Sequence, residues 1–284
     1  MFFRVADIVF HIVSSLKLRV EEAAQGFLVP QTTPDVTIET KWGDLSQNPE
    51  GRKVFDSGNI WQLYYTDGEY LFSFTSPLLG SIPYKLARIK KDFTKGKVLL
   101  HELYFDHTQP INPLEYPLDE LILMNFLALG KGVEIHACGI MDQFGQGRLF
   151  VGQSGAGKTT IARLLQQKEG ITILSDDRIV LRQTGQTLWM YGTPWHGEAK
   201  LASPARAPLS QVYFLEKGSK NQLVPQKRAD AIGRLFACSF LPFYSHEGLA
   251  FTLSFLEEVV KATPCHVLKF LPDRKVIEFL DGQR

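Results

Sequence analysis

Hydrophobic and polar positions change their period close to residue 118. Ahead of it, short runs of β-branched and aromatic residues recur: Val5 to Val13, Val36 to Glu39, Ile60 to Tyr65, Tyr70 to Phe74, Leu86 to Lys90 and Val98 to Phe105. Thr66-Asp67-Gly68, Ser76-Pro77 and Lys95-Gly96 supply turn residues between them. The stretch from Tyr64 to Phe72 is the best hairpin candidate, because Asp67-Gly68 can take the positive φ that a two-residue turn requires. Residues 1–117 therefore read as a β-rich domain whose aromatic residues fill a sheet core.

Pro110, Pro113 and Pro117 then mark a connection. Residues 118–130 read as a helix with Leu121, Met124, Leu127 and Leu129 among its apolar positions, ended by Gly130-Lys131-Gly132. Val133 to Met141 reads as a strand, Gln143 to Gly147 as a turn and Arg148 to Val151 as a short buried strand. Ile161, Leu164 and Leu165 share one face of a helix over residues 160–168. Glu169-Gly170 stops that helix, and Ile171 to Leu174 reads as the next strand. The pattern predicts two domains, 1–117 and 118–284, in an α/β chain that is α+β overall.

Composition narrows the class without changing that picture. Apolar residues make up 44% of 284 and charged residues 21%, enough for a sizeable core. A formal net charge of +1 with both signs interspersed argues against nucleic-acid binding through a broad basic surface. Cys138, Cys238 and Cys265 are widely spaced with no C-x-x-C pair, so neither a disulfide framework nor a zinc site is predicted, and all three are expected to be buried and inert. Asp7 and His11 interrupt the apolar N-terminal run and no basic leader precedes it, so a strand is the better reading there than a signal sequence. No run reaches the roughly 18 apolar residues of a membrane span. A cytoplasmic protein with no membrane partner is expected.

The chemistry begins at Gly152-Gln153-Ser154-Gly155-Ala156-Gly157-Lys158-Thr159-Thr160. Gly152, Gly157, Lys158 and Thr159 satisfy G-x-x-x-x-G-K-[ST] between a predicted strand and a predicted helix. Glycines at 155 and 157 permit a tight loop whose N–H groups face an anion. Lys158 can reach the β- and γ-phosphates and the Thr159 hydroxyl can ligate Mg²⁺. The positive end of the helix adds to the attraction. ATP and Mg²⁺ are the expected cofactors.

Ser175-Asp176-Asp177 follows one helix and one strand later. Ligands of open α/β sheets bind beyond the carboxyl ends of strands. If the 171–174 strand lies beside the phosphate-loop strand, both aspartates fall next to Lys158 and Thr159. One carboxylate can hold Mg²⁺ and another can accept a proton from an attacking hydroxyl.

These residues resemble the HPr kinase/phosphorylase family, whose core has the phosphoenolpyruvate-carboxykinase type of nucleotide fold. The resemblance covers roughly residues 119–284 and rests on Ile135-His136-Ala137, Gly152 to Thr160, and Ser175 to Ile179. It implies a P-loop kinase core with His136 as an active-site histidine, Lys158 as the loop lysine, Thr159 as a Mg²⁺ ligand and Asp176 as the base. Asp177 is the expected further Mg²⁺ ligand. Gly192 to Glu198 and Val259 to Leu280 resemble segments of the broader HPr-kinase-like set, with Glu198 the candidate for a later Mg²⁺ ligand. Thr159-Thr160 replaces the Ser-Glu of HPr kinases, and residues 1–117 do not read as their N-terminal domain. The resemblance is therefore to a divergent relative.

The predicted function is transfer of the γ-phosphate of ATP to a hydroxyl, a serine by resemblance, on a protein, peptide or small-molecule acceptor. The resemblance also implies a homo-oligomer. A nucleotide-binding regulatory or assembly protein without phosphotransfer is the alternative. Carboxykinase-type chemistry is a third reading and would need Arg163, Arg178, Arg206, Arg228 or Arg234 to converge on a substrate carboxylate.

Overall fold

The computed structural model describes residues 1–45, 49–58, 60–77, 80 and 82–283. It is a mixed α/β chain with two large sheets and few helices, and it divides into two compact units, Met1–Phe126 and Leu127–Arg284.

The first unit runs β1 (Phe2–Val5), β2 (Ile8–Ser14), a 3-10 helix (Glu22–Phe27), β3 (Val36–Gly43), β4 (Arg52–Asp56), β5 (Trp61–Thr66), β6 (Glu69–Thr75), β7 (Pro83–Lys90) and β8 (Lys95–His101), then helix α1 (Leu118–Ala128). The strands form one sheet in the order β1-β2-β3-β8-β7-β6-β5-β4. The predicted N-terminal strand is in fact a hairpin. Ala6 and Asp7 have φ of 54° and 58°, and Val5 pairs with Ile8. Aspartate tolerates the left-handed region, so the turn forms without a glycine to announce it. The Asp67-Gly68 hairpin forms between β5 and β6, with Thr66 paired to Glu69. The division between the units falls inside α1, which is buried along nearly its whole length.

The second unit runs β9 (Val133–Met141), β10 (Gly147–Val151), α2 (Lys158–Gln166), β11 (Thr172–Ser175), β12 (Arg178–Thr184), β13 (Thr187–Gly192), β14 (Arg206–Lys217), β15 (Gln222–Pro225), α3 (Arg228–Ala237), α4 (His246–Ala262), β16 (Cys265–Phe270) and α5 (Lys275–Asp281). Its sheet has the order β10-β9-β12-β13-β14-β16-β15, and β10 also pairs with β14. β10, β14 and β16 are parallel; β9 is antiparallel to β10.

β10 is buried on both faces. Leu149 and Val151 join one apolar cluster with Ala231 and Leu235 of α3 and Phe255, Leu256 and Val259 of α4. Phe150 joins the other, with Ile161, Ala162 and Leu165 of α2 and Val276 and Leu280 of α5. A strand buried on both sides reads as a continuous apolar run, which is how residues 149–151 look in sequence. Burial of each large apolar side chain here contributes about 1.5–3 kcal/mol. The layers fix the position of the loop that leaves β10 and enters α2.

Candidate active site

Gly152 to Gly157 leave the carboxyl end of β10, and Lys158 opens α2. Gly155 and Gly157 have φ of +79° and +106°, a region side chains with a Cβ avoid. A Cβ at Gly157 would lie 2.7 Å from the Phe270 ring, and one at Gly152 would lie 2.6 Å from the Ala156 Cβ. The glycine pattern is thus set by backbone conformation at 157 and by close approach at 152. The Lys158 Nζ donates to the carbonyls of Gly152 (2.8 Å) and Gln153 (3.3 Å), which holds the ammonium over the loop. Burial lowers the Lys158 pKa, and the charges of Asp177, the two nearby cysteines and Asp176 work against that shift. Thr159 and Thr160 stand half-buried in the first turn of α2.

β9 brings His136 to the same end. Ala137 pairs with Val151, so His136 lies one residue beyond the paired end of β10. Its backbone N–H donates to the Cys238 carbonyl at the end of α3 (2.7 Å). β11 does not lie beside β10, as the sequence pattern allowed. It pairs with β9, and β12 continues along β9 with Arg178 opposite His136. One strand therefore separates the aspartates' segment from the loop strand, and it is the strand that carries His136.

The two aspartates point into different surroundings. Asp176 is 1% exposed. Its Oδ1 accepts the N–H groups of Gly197 (2.9 Å) and Leu201 (3.3 Å), and its Oδ2 accepts that of Ala199 (2.9 Å). A Cβ on Gly197 would come within 2.8 Å of that carboxylate. Asp177 instead has Oδ1 at 3.0 Å from His136 Nε2, and its Oδ2 accepts from Arg178. Burial pushes the Asp177 carboxyl up, but the His136 hydrogen bond and the charges of Arg178, His136 and Lys158 outweigh it, leaving the pKa below its ordinary value. Ser175 Oγ ties the corner by accepting from the amides of Asp177 (3.2 Å) and Arg178 (3.1 Å) and donating to the Trp195 carbonyl (3.0 Å).

Of the residues named from sequence, the structure gathers the 152–160 loop, His136 and Asp177 at one sheet end. Glu198 is exposed, and its carbonyl accepts from Arg163 of α2 (3.3 Å). The arginines do not converge: Arg178 meets Asp177, Arg206 stacks on Trp189, and Arg234 pairs with Glu216. Sequence reasoning missed Phe240, whose ring covers the Arg178 guanidinium at 5.0 Å and meets His136 edge-on. It also missed the α3 wall of a cavity of about 880 Å³ beside the loop, lined by Gly152 to Ala156, by Phe214 to Lys217 at the end of β14, and by one face of α3. The small residues Gly233 and Ala237, at i and i+4 on that helix, are the only signal of that wall in the sequence.

Among the described residues, no three His, Cys, Asp or Glu side chains form a metal-binding group. Cys138 and Cys238 are buried and Cys265 is half-buried; burial raises all three thiol pKa values, that of Cys265 to about 11. No described helix is long and apolar enough to cross a membrane.

No family model matches the chain, and no curated protein matches it. Among solved structures it is similar to the Hpr(Ser) kinase/phosphatase from Coxiella burnetii, with 14% identity over 53% of this chain and 94% of that one and a TM-score of 0.32.

Proposed function

We propose that this chain binds ATP with Mg²⁺ on the 152–160 loop and transfers the γ-phosphate to a hydroxyl. The observation that carries the reading is Asp177 held between His136 and Arg178 at the sheet end where Lys158 sits over the loop. Backbone N–H groups of residues 153–158 hold the β-phosphate, and Lys158 neutralises charge on the transferring group. Thr159 would hold the Mg²⁺ together with phosphate oxygens and water, and the ion would supply charge neutralisation at those oxygens.

The acceptor oxygen attacks the γ-phosphorus, the bond to the β–γ bridging oxygen breaks, and ADP leaves. Asp177 takes the acceptor's proton. Its low pKa keeps it ionised at neutral pH, and a loose phosphoryl-transfer transition state asks for little basicity. His136 fixes the carboxylate's orientation. Asp176, the residue that the resemblance suggests as base, is 1% exposed and accepts three backbone amides, whereas the Asp177 side chain is 21% exposed, so the proposal gives Asp176 the work of shaping the 197–201 loop. Labelled ATP tests the reading: wild type should transfer label to a component of a cell extract, and Asp177→Asn should bind ATP without transferring.

That engagement of Asp176 also favours a second reading, a nucleotide-binding regulatory or assembly protein. It leaves one carboxylate beside the loop, and a binder needs no more. Wild-type protein that binds ATP and never transfers label supports it.

A further inference from the structure

The cavity beside the loop is larger than phosphates need and has two chemically different sides. One side is loop backbone, Gly152 to Ala156. The other is a face of α3 on which Asp230, Gly233, Arg234 and Ala237 recur at i, i+3, i+4 and i+7. Gly233 and Ala237 keep this face flat, and a Cβ built on Gly233 would meet nothing within 4 Å. Phe214 and Val151 add apolar floor. Arg234 Nη2 donates to Glu216 Oε1 at 2.6 Å, so that carboxylate is fixed in direction at the cavity wall. The volume of about 880 Å³ lies in the range of pockets that enclose small ligands.

From these features we infer that the α3 face is the nucleoside pocket: the base lies over Gly233 and Ala237, and the ribose hydroxyls donate to Glu216. A carboxylate that accepts from ribose hydroxyls is a recurrent solution in nucleotide sites. The inference rests on the proposed ATP site and extends it: with the γ-phosphate toward Asp177 and His136, neither of which lines this cavity, the cavity is left for the nucleoside end. It specifies a ribonucleotide rather than a deoxynucleotide or an inorganic polyphosphate.

Calorimetric titration of the full chain with Mg·ATP, Mg·dATP and Mg·tripolyphosphate tests it. Wild type should bind ATP more tightly than either of the others. Gly233→Leu fills the flat face, and leucine raises helix propensity at that position. It should weaken ATP about tenfold or more while leaving tripolyphosphate within about twofold, and the retained tripolyphosphate binding shows that the loop is folded. Glu216→Gln should erase the preference for ATP over dATP. The inference is overturned if Gly233→Leu leaves ATP binding unchanged, or if it weakens ATP and tripolyphosphate equally. Failure of wild type to bind either ATP or tripolyphosphate would overturn the ATP site itself along with it.

Discussion

His136 Nε2 lies 3.0 Å from Asp177 Oδ1: His136 is on β9, and Asp177 is in the bend between β11 and β12, both of which pair with β9. Both are partly exposed, and Arg178 holds the second carboxylate oxygen. Removing the imidazole by His136→Ala should lower the rate of phosphate transfer by about 10²-fold, in the range for a group that positions or activates proton transfer. ATP affinity should change little, because the loop amides and Lys158 are untouched. Single-turnover transfer rates beside ATP titrations check this; equal losses in both would remove His136 from the chemistry.

Asp176 is a structural test of the same corner. Asp176→Ala leaves three amides of the 197–201 loop without their acceptor in a site that is 1% exposed. The expected cost is about 3 kcal/mol, read by urea denaturation. Proteolysis within residues 197–201 should also speed up. An Asp176→Ala protein with wild-type stability would contradict the loop-shaping role.

The loop glycines should differ in a way the motif does not foretell. Gly155→Ala meets open space, so the cost is backbone strain alone, about 1 kcal/mol. Gly157→Ala adds a clash with Phe270 at 2.7 Å to a φ of +106°, for about 2–4 kcal/mol. Melting curves of the two variants give the order directly.

The sequence carried the loop, the strand before it and the helix after it, because glycine spacing and apolar periodicity are local properties. His136 and the Asp-Asp pair were legible as candidates for the same reason. Which aspartate is sequestered was not legible: it depends on the 197–201 loop folding onto Asp176, a long-range contact with no local signature. The N-terminal hairpin was hidden because Ala6-Asp7 makes a turn inside an alternating pattern. The α3 wall was hidden because a cavity is made by what three separate segments leave unfilled.

A lysine in the first unit gives a prediction independent of the site. Lys85 is fully buried, donates to the Glu115 carbonyl at 3.2 Å and lies 4.7 Å from the centre of the Phe74 ring. Burial lowers its pKa to about 8, with Glu115 and Asp119 offsetting part of the shift. The unfolded chain keeps a lysine near pKa 10.4, so it binds more protons than the folded chain between about pH 8 and that value. Stability from this group should therefore rise as pH increases through that window and be lost as pH falls through about 8. Urea denaturation at about pH 7 and about pH 10 should show the rise in wild type, and Lys85→Met should flatten it.

We propose Asp177, not Asp176, as the group that takes the acceptor's proton at an ATP site on the 152–160 loop. The most direct measurement is transfer from γ-labelled Mg·ATP into a cell extract by wild type and Asp177→Asn, with ATP binding followed in parallel. Wild type should label an acceptor, and Asp177→Asn should label none although ATP still binds. Undiminished transfer by Asp177→Asn, or ATP binding by wild type without any labelled acceptor, would contradict it.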